Sequence, residues 1–181
     1  MGSLGMSRHV LGAFFGATLA MWAQGASAQE QASAPCSNQV TDWSICVAEK
    51  PKECWAVSTA KESVNTKEGR VVAVRRSDIL FMVFYRPEVG VKGQVGFTGG
   101  YPFASGSTVN LSIDGNSFSL FTEGEWAWPA STADDDKIVT AMKRGSKATL
   151  SAQSARGTKT EDTFSLSGFT AAVEGAEKRC N

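Results

Sequence analysis

Carboxylates and indoles crowd the segment EGEWAWPASTADDDKIV, residues 123–139. Glu123 and Glu125 are the residue types of a glycosidase acid and base. Asp134, Asp135 and Asp136 are the type that holds calcium. Trp126 and Trp128 are the type that stacks on a sugar or anchors a protein partner. Spacing decides among these chemistries. In an extended backbone Glu123 and Glu125 point one way, and Trp126 and Trp128 point the other. Two carboxylates on one strand face do not straddle a scissile bond, which leaves hydrolysis as the weakest reading. The aspartates lack the alternating ligands, central glycine and terminal glutamate of a calcium loop. They precede KIVTAMKRG, with an apolar stripe at Ile138, Val139 and Met142, Lys143 and Arg144 in the last turn, and Gly145 at the C′ position. That pattern predicts a short helix over about 134–144 whose acidic N-terminus faces the positive end of the helix dipole. The indoles are read as core or as a binding surface shared with Tyr101 and Phe103.

Other catalytic chemistry is narrowed by one count. The sole histidine is His9, and it lies in a stretch with the order of a secretory signal peptide. Arg8 precedes the uncharged run Val10–Trp22, and Ala26-Ser27-Ala28 follows as an A-x-A cleavage site. The apolar run is shorter than the roughly 20 residues that span a bilayer. Cleavage after Ala28 is expected to deliver residues 29–181 to the periplasm, without His9. The mature chain then has no Ser-His-Asp or Cys-His arrangement and no histidine-ligated metal site. Neither a metal nor a cofactor is expected. Cys36 is not adjacent to the cut, which argues against a lipid anchor.

Removal of Arg8 leaves 17 basic residues against 18 acidic ones, a net charge of about −1. The charges are scattered, and no basic stripe suits nucleic acid. The mature chain contains no further run suited to a membrane-spanning helix. All four cysteines fall in the exported part, which reads as two disulfides. Cys46 and Cys54 flank the turn AEKPKE, so Cys46–Cys54 would staple a hairpin and Cys36–Cys180 would tie the chain ends together.

Residues 29–42 read as a polar leader and 43–181 as one β-rich domain, after a signal peptide over 1–28. Strand signals recur at Trp43–Val47, Cys54–Ala60, RVVAVRR (70–76) and ILFMVFY (79–85). The last is apolar at every position, as in a strand buried on both faces or covered at an interface. Glycine-rich residues 87–106 suit short strands around Val95 and Phe97, and they lack the G-K-[ST] of a phosphate loop. TVNLSI-DGN-SFSLF is a hairpin signal, and residues 146–169 carry two more strands. TAAVEGAEKRC is compatible with a short C-terminal helix from Thr170, weakened by Gly175. About nine strands and one clear helix predict a mainly β, antiparallel sandwich or barrel-like single domain.

The order WSICV…CWAV, VVAVRR, VNLSIDG, IVTAMKRG and DTFSLSGFTAA resembles the invasion-associated locus B family of exported proteobacterial proteins, from about Trp43 to Ala172. The closing FSLSGFTAA and the hairpin cysteines are its more specific parts. The resemblance implies a small, soluble, β-rich periplasmic or envelope-associated protein, with no catalytic residues to carry over. Many relatives have a second cysteine pair after the DG hairpin. Here FTEGEWAWPAST stands in its place. The function expected is a non-enzymatic domain that binds another envelope or periplasmic protein. The alternative is a carbohydrate- or peptidoglycan-binding module using Trp126 and Trp128. Peripheral association with the outer membrane is compatible with either.

Overall fold

Two tight turns fold strands β1 (Cys36–Val40), β2 (Trp43–Glu49) and β3 (Lys52–Thr59) into an antiparallel meander. The structure is a computed structural model that describes residues 36–181. The expected signal peptide, 1–28, and residues 29–35 of the expected leader lie outside the described residues. The rest of that leader supplies β1. Across the two-residue turn Lys50–Pro51, Val47 stands opposite Cys54, and Cys46 stands opposite Trp55. Opposed residues share a face and successive ones alternate. Cys46 and Cys54 therefore project from opposite faces and cannot pair. The expected pairing is corrected: the bridges are Cys36–Cys46 and Cys54–Cys180. Cys36 lies directly across from Cys46. Cys180 ends helix α2 (Phe169–Cys180), which covers the Cys54 face.

The remaining elements are β4 (Glu62–Lys67), β5 (Arg70–Val71), β6 (Leu80–Arg86), β7 (Val91–Thr98), β8 (Thr108–Ile113), β9 (Asn116–Glu123), β10 (Trp126–Trp128), helix α1 (Thr132–Arg144), β11 (Lys147–Gln153) and β12 (Lys159–Ser165). Twelve strands form one antiparallel sheet in the order β1-β2-β3-β6-β7-β10-β9-β8-β11-β12-β4-β5. The sheet is open, with β1 and β5 at its edges, and it folds over so that its two halves face each other. Phe164 of β12 packs 5.5 Å from Phe81 of β6 and 6.2 Å from Phe97 of β7, between ring centres. Trp43 Nε1 donates to Ser165 O at 3.0 Å. The corner is the β3–β4 connection, where Ala60 N donates to Ile79 O and Lys61 N donates to Thr163 O. One face of the sheet thus encloses the core, as expected for an antiparallel sandwich or barrel-like domain.

Several local expectations change for packing reasons. β5 stops at Val71, and residues 72–79 run irregularly rather than as the strand predicted over 70–76. There the chain crosses between the halves of the sheet and buries Arg76 against Asp162. Helix α1 begins two residues before the predicted start, because Ser131 is the N-cap and its hydroxyl accepts from Asp134 N. Gly145 is extended rather than left-handed. Its lack of a side chain matters for space, since a β-carbon would lie 2.7 Å from Ile113 Cγ2. Gly175 serves α2 in the same way, because a β-carbon there would come 2.6 Å from Ile45 Cδ1. Close packing on the sheet offsets its low helix propensity.

Candidate functional site

Strand β6 is apolar on both faces, and each face has a different neighbour. Phe81, Val83 and Tyr85 enter the core, while Met82 and Phe84 lie on the outer side. The register brings Trp55 opposite Phe84, Val57 opposite Met82, and Gly96 opposite Met82 from the other flank. Trp126 continues this outer face through its pairing with Thr98, and Trp128 stands opposite Phe121. A β-carbon on Gly96 would lie 2.7 Å from the Trp128 ring and 2.9 Å from that of Phe84. Glycine at this position makes the room that the aromatic cluster fills. The Trp126 and Trp128 rings stack, 5.1 Å between centres and 18° between planes. Phe84 meets them at 6.3 and 6.0 Å and meets Trp55 at 6.5 Å. Met82 and Phe84 are buried beneath the cluster, the three indoles are half-buried, and Phe121 is exposed.

A polar rim bounds one end of this face. Arg86 Nε donates to Glu53 Oε1 at 2.7 Å and its Nη1 donates to Gln94 Oε1 at 2.9 Å, with the guanidinium 4.6 Å over Phe84. An apolar centre of aromatic residues with a polar edge is the composition of a recognition surface.

The four residues expected to form one surface are divided. Trp126 and Trp128 lie on the outer face. Phe103 is a core residue, 6 % exposed and packed 6.0 Å from Phe97. It bridges to Ser154, so the chain here turns across the end of the sheet. Tyr101 packs edge-on against Phe103, bonds Thr160 through its hydroxyl, and lies 4.9 Å beneath the Arg76 guanidinium. Glu123 and Glu125 do not share a strand face. Glu123 ends β9 opposite Trp126, and Glu125 sits in the intervening turn, where Gly124 has φ of +61°.

A family pattern, Invasion associated locus B (IalB) protein, matches residues 43–177. The chain belongs to the invasion-associated locus B family. Its fold is similar to the crystal structure of invasion associated protein b from Bartonella henselae, with a TM-score of 0.54 and 17% identity over 77% of this chain and 94% of that one. No curated protein matches it.

The outer face of this family member includes residues that sequence reasoning missed, namely Trp55, Met82, Phe84, Arg86 and Phe121. A signal was present for Phe84 and Met82, since a strand apolar at every position must have both faces covered. Trp55 follows Cys54 directly and so must face the other way.

The three aspartates of α1 separate as well. Asp134 bonds Ser131 and Lys137, and these bonds hold its carboxyl below the usual range. Asp135 is 6 % exposed, and its Oδ1 accepts from Val95 N at 2.8 Å. β10 ends at Trp128, so this carboxylate receives an N–H of β7 beyond the end of its strand partner. Burial pushes the Asp135 pKa up to about 6, opposed by the Val95 bond and aided by Asp136 and Asp134. A raised carboxyl pKa gives stability that is full below the unfolded value near 4 and is lost as pH rises through about 6. Asp135→Asn keeps an acceptor for Val95. Urea titrations at pH 4.5 and 7.5 should show the wild type losing on the order of 2 kcal/mol relative to this variant as pH rises. An equal pH response in both proteins would show that Asp135 is not desolvated.

Proposed function

We propose that this protein is an exported envelope component that binds another exported protein through its outer aromatic face, without catalysis. The observation that carries the reading is the cluster of Trp55, Phe84, Trp126 and Trp128 outside the enclosed core, with Arg86, Glu53 and Gln94 at its rim. Half-buried indoles supported from beneath are the side chains that dominate interface energies. Export is supported by the A-x-A pattern after Val10–Trp22 and by two disulfides, which suit an oxidising compartment. Among the described residues no helix is long and apolar enough to cross a membrane. A glycan platform is less well supported, because Trp126 and Trp128 turn ring faces towards each other.

The test is crosslinking in whole cells followed by purification of the mature, oxidised protein. One envelope protein should be recovered near stoichiometry with the wild type. Trp126→Ala with Trp128→Ala should weaken that capture by at least about 30-fold, the equivalent of a 2 kcal/mol hot spot, with the far-ultraviolet spectrum retained. Undiminished capture by the folded variant refutes this face as the contact. Retention on purified cell wall without a protein partner would put the glycan reading first.

A further inference from the structure

A cleft of about 310 Å³ opens where segments 74–76 and 100–102 meet the β9–β10 and β11–β12 turns. Arg76 lines it, and Asp162 pairs with this guanidinium from behind the lining, with side chains 6% and 0% exposed. Arginine has five N–H donors. Gly99 O, Asn65 Oδ1 and both carboxylate oxygens of Asp162 take four of them, at 2.5–3.2 Å. The fifth, on Nη2, has no acceptor among the described residues.

Other lining groups also have hydrogens to give. Tyr101 and Thr160 share one hydroxyl hydrogen between them, which leaves the other free. Burial raises the Tyr101 pKa, so its hydroxyl stays protonated. Ser154 Oγ accepts from Thr158 N and keeps its own hydrogen. Arg75 and Arg156 line the mouth, are exposed, and have no carboxylate partner among the described residues. Against these donors Glu125 is the one acidic side chain in the lining. Val74 and Pro102 add apolar contact.

We propose that this cleft binds a small organic oxyanion, a carboxylate or phosphate carried on a compact uncharged body. Donor excess with a net positive lining selects an acceptor-rich, anionic head, and guanidinium groups match carboxylate and phosphate geometry. The site is separate from the aromatic face, and neither reading depends on the other.

Titration of the oxidised mature protein by amide nuclear magnetic resonance tests it, with glucuronate, glucose 6-phosphate and glucose as probes. At least one anion should shift the amides of 74–76, 100–101 and 154–160, and glucose should not. The tighter of the two anions identifies the head group. Arg75→Ala with Arg156→Ala should weaken the binding by about tenfold or more at an unchanged melting temperature, because both side chains are exposed and unpaired. Added chloride should weaken binding to the unsubstituted protein. The proposal is overturned if neither anion shifts these amides, if glucose shifts them equally, or if binding survives both the double substitution and added chloride.

Discussion

Asp162→Ala is expected to destabilise the protein by about 4 kcal/mol, because it strands a buried guanidinium. For a domain of this size that loss lowers the melting temperature by roughly 10 °C. Asp162 is fully buried and its two oxygens receive Nη1 and Nη2 of Arg76 at 2.8 and 2.5 Å. It also accepts from Ser63 Oγ at 2.6 Å. Without the carboxylate, Arg76 must keep its charge in a site that offers only Gly99 O, Asn65 Oδ1 and the Tyr101 ring face. Replacing both partners by apolar residues, Arg76→Met with Asp162→Leu, removes the stranded charge along with the attraction. That pair of changes should cost less than Asp162→Ala alone, since a buried ion pair and an apolar pair of similar volume are often close in stability. Thermal melts of the wild type, Asp162→Ala, the double variant and its two singles, Arg76→Met and Asp162→Leu, decide it. A double variant as unstable as the sum of its singles would mean the two charges are not coupled.

The ion pair also marks where sequence reading loses its grip. RVVAVRR has strand propensity, yet only Arg70–Val71 pairs, because Arg76 is drawn to a carboxylate 86 residues away. Nothing in local pattern announces such a partner. ESVNTK was unreadable for a related reason. Its β4 strand is mostly exposed, so it lacks the apolar alternation that signals a strand, and it is held by backbone pairing to β12. Strand β6 was legible because apolar residues at every position require cover on both sides. The cover on the outer side came from Trp55, Trp126 and Trp128, which adjacent strands place there. Trp126 and Trp128 were legible as a pair on one face, but their separation from Tyr101 and Phe103 depends on how residues 99–107 cross the end of the sheet. The acidic helix start was legible as capping. The distinct fate of Asp135 was not, since it depends on where β10 stops.

Removing the two disulfides one at a time is expected to give unequal losses. In the chain-entropy account the cost rises with the length of chain between the cysteines. Cys36–Cys46 spans 10 residues and Cys54–Cys180 spans 126. The expected losses are roughly 3 kcal/mol for Cys36→Ala with Cys46→Ala and roughly 5 kcal/mol for Cys54→Ala with Cys180→Ala. The longer bridge also fastens the end of α2 to β3, and its cysteines are 0% and 7% exposed. Its loss should therefore loosen the helix that covers Trp43 and Ile45, while loss of the shorter bridge should loosen only β1. Denaturant midpoints of the two variants measure the difference, and hydrogen exchange locates it. Peptide mapping without reduction checks the pairing directly, since a fragment joining Cys46 to Cys54 would contradict the β2–β3 register. That register excludes one of the three connectivities, and the β1–β2 register, with Cys36 opposite Cys46, selects between the other two. Glu49 opposite Lys52 fixes Val47 opposite Cys54, and a one-residue slip would send every side chain of β3 to the wrong face. Trp55 would then enter the core and Cys54 the solvent side, so the pairing of the cysteines and the exposure of the aromatic face follow from the same two-residue turn.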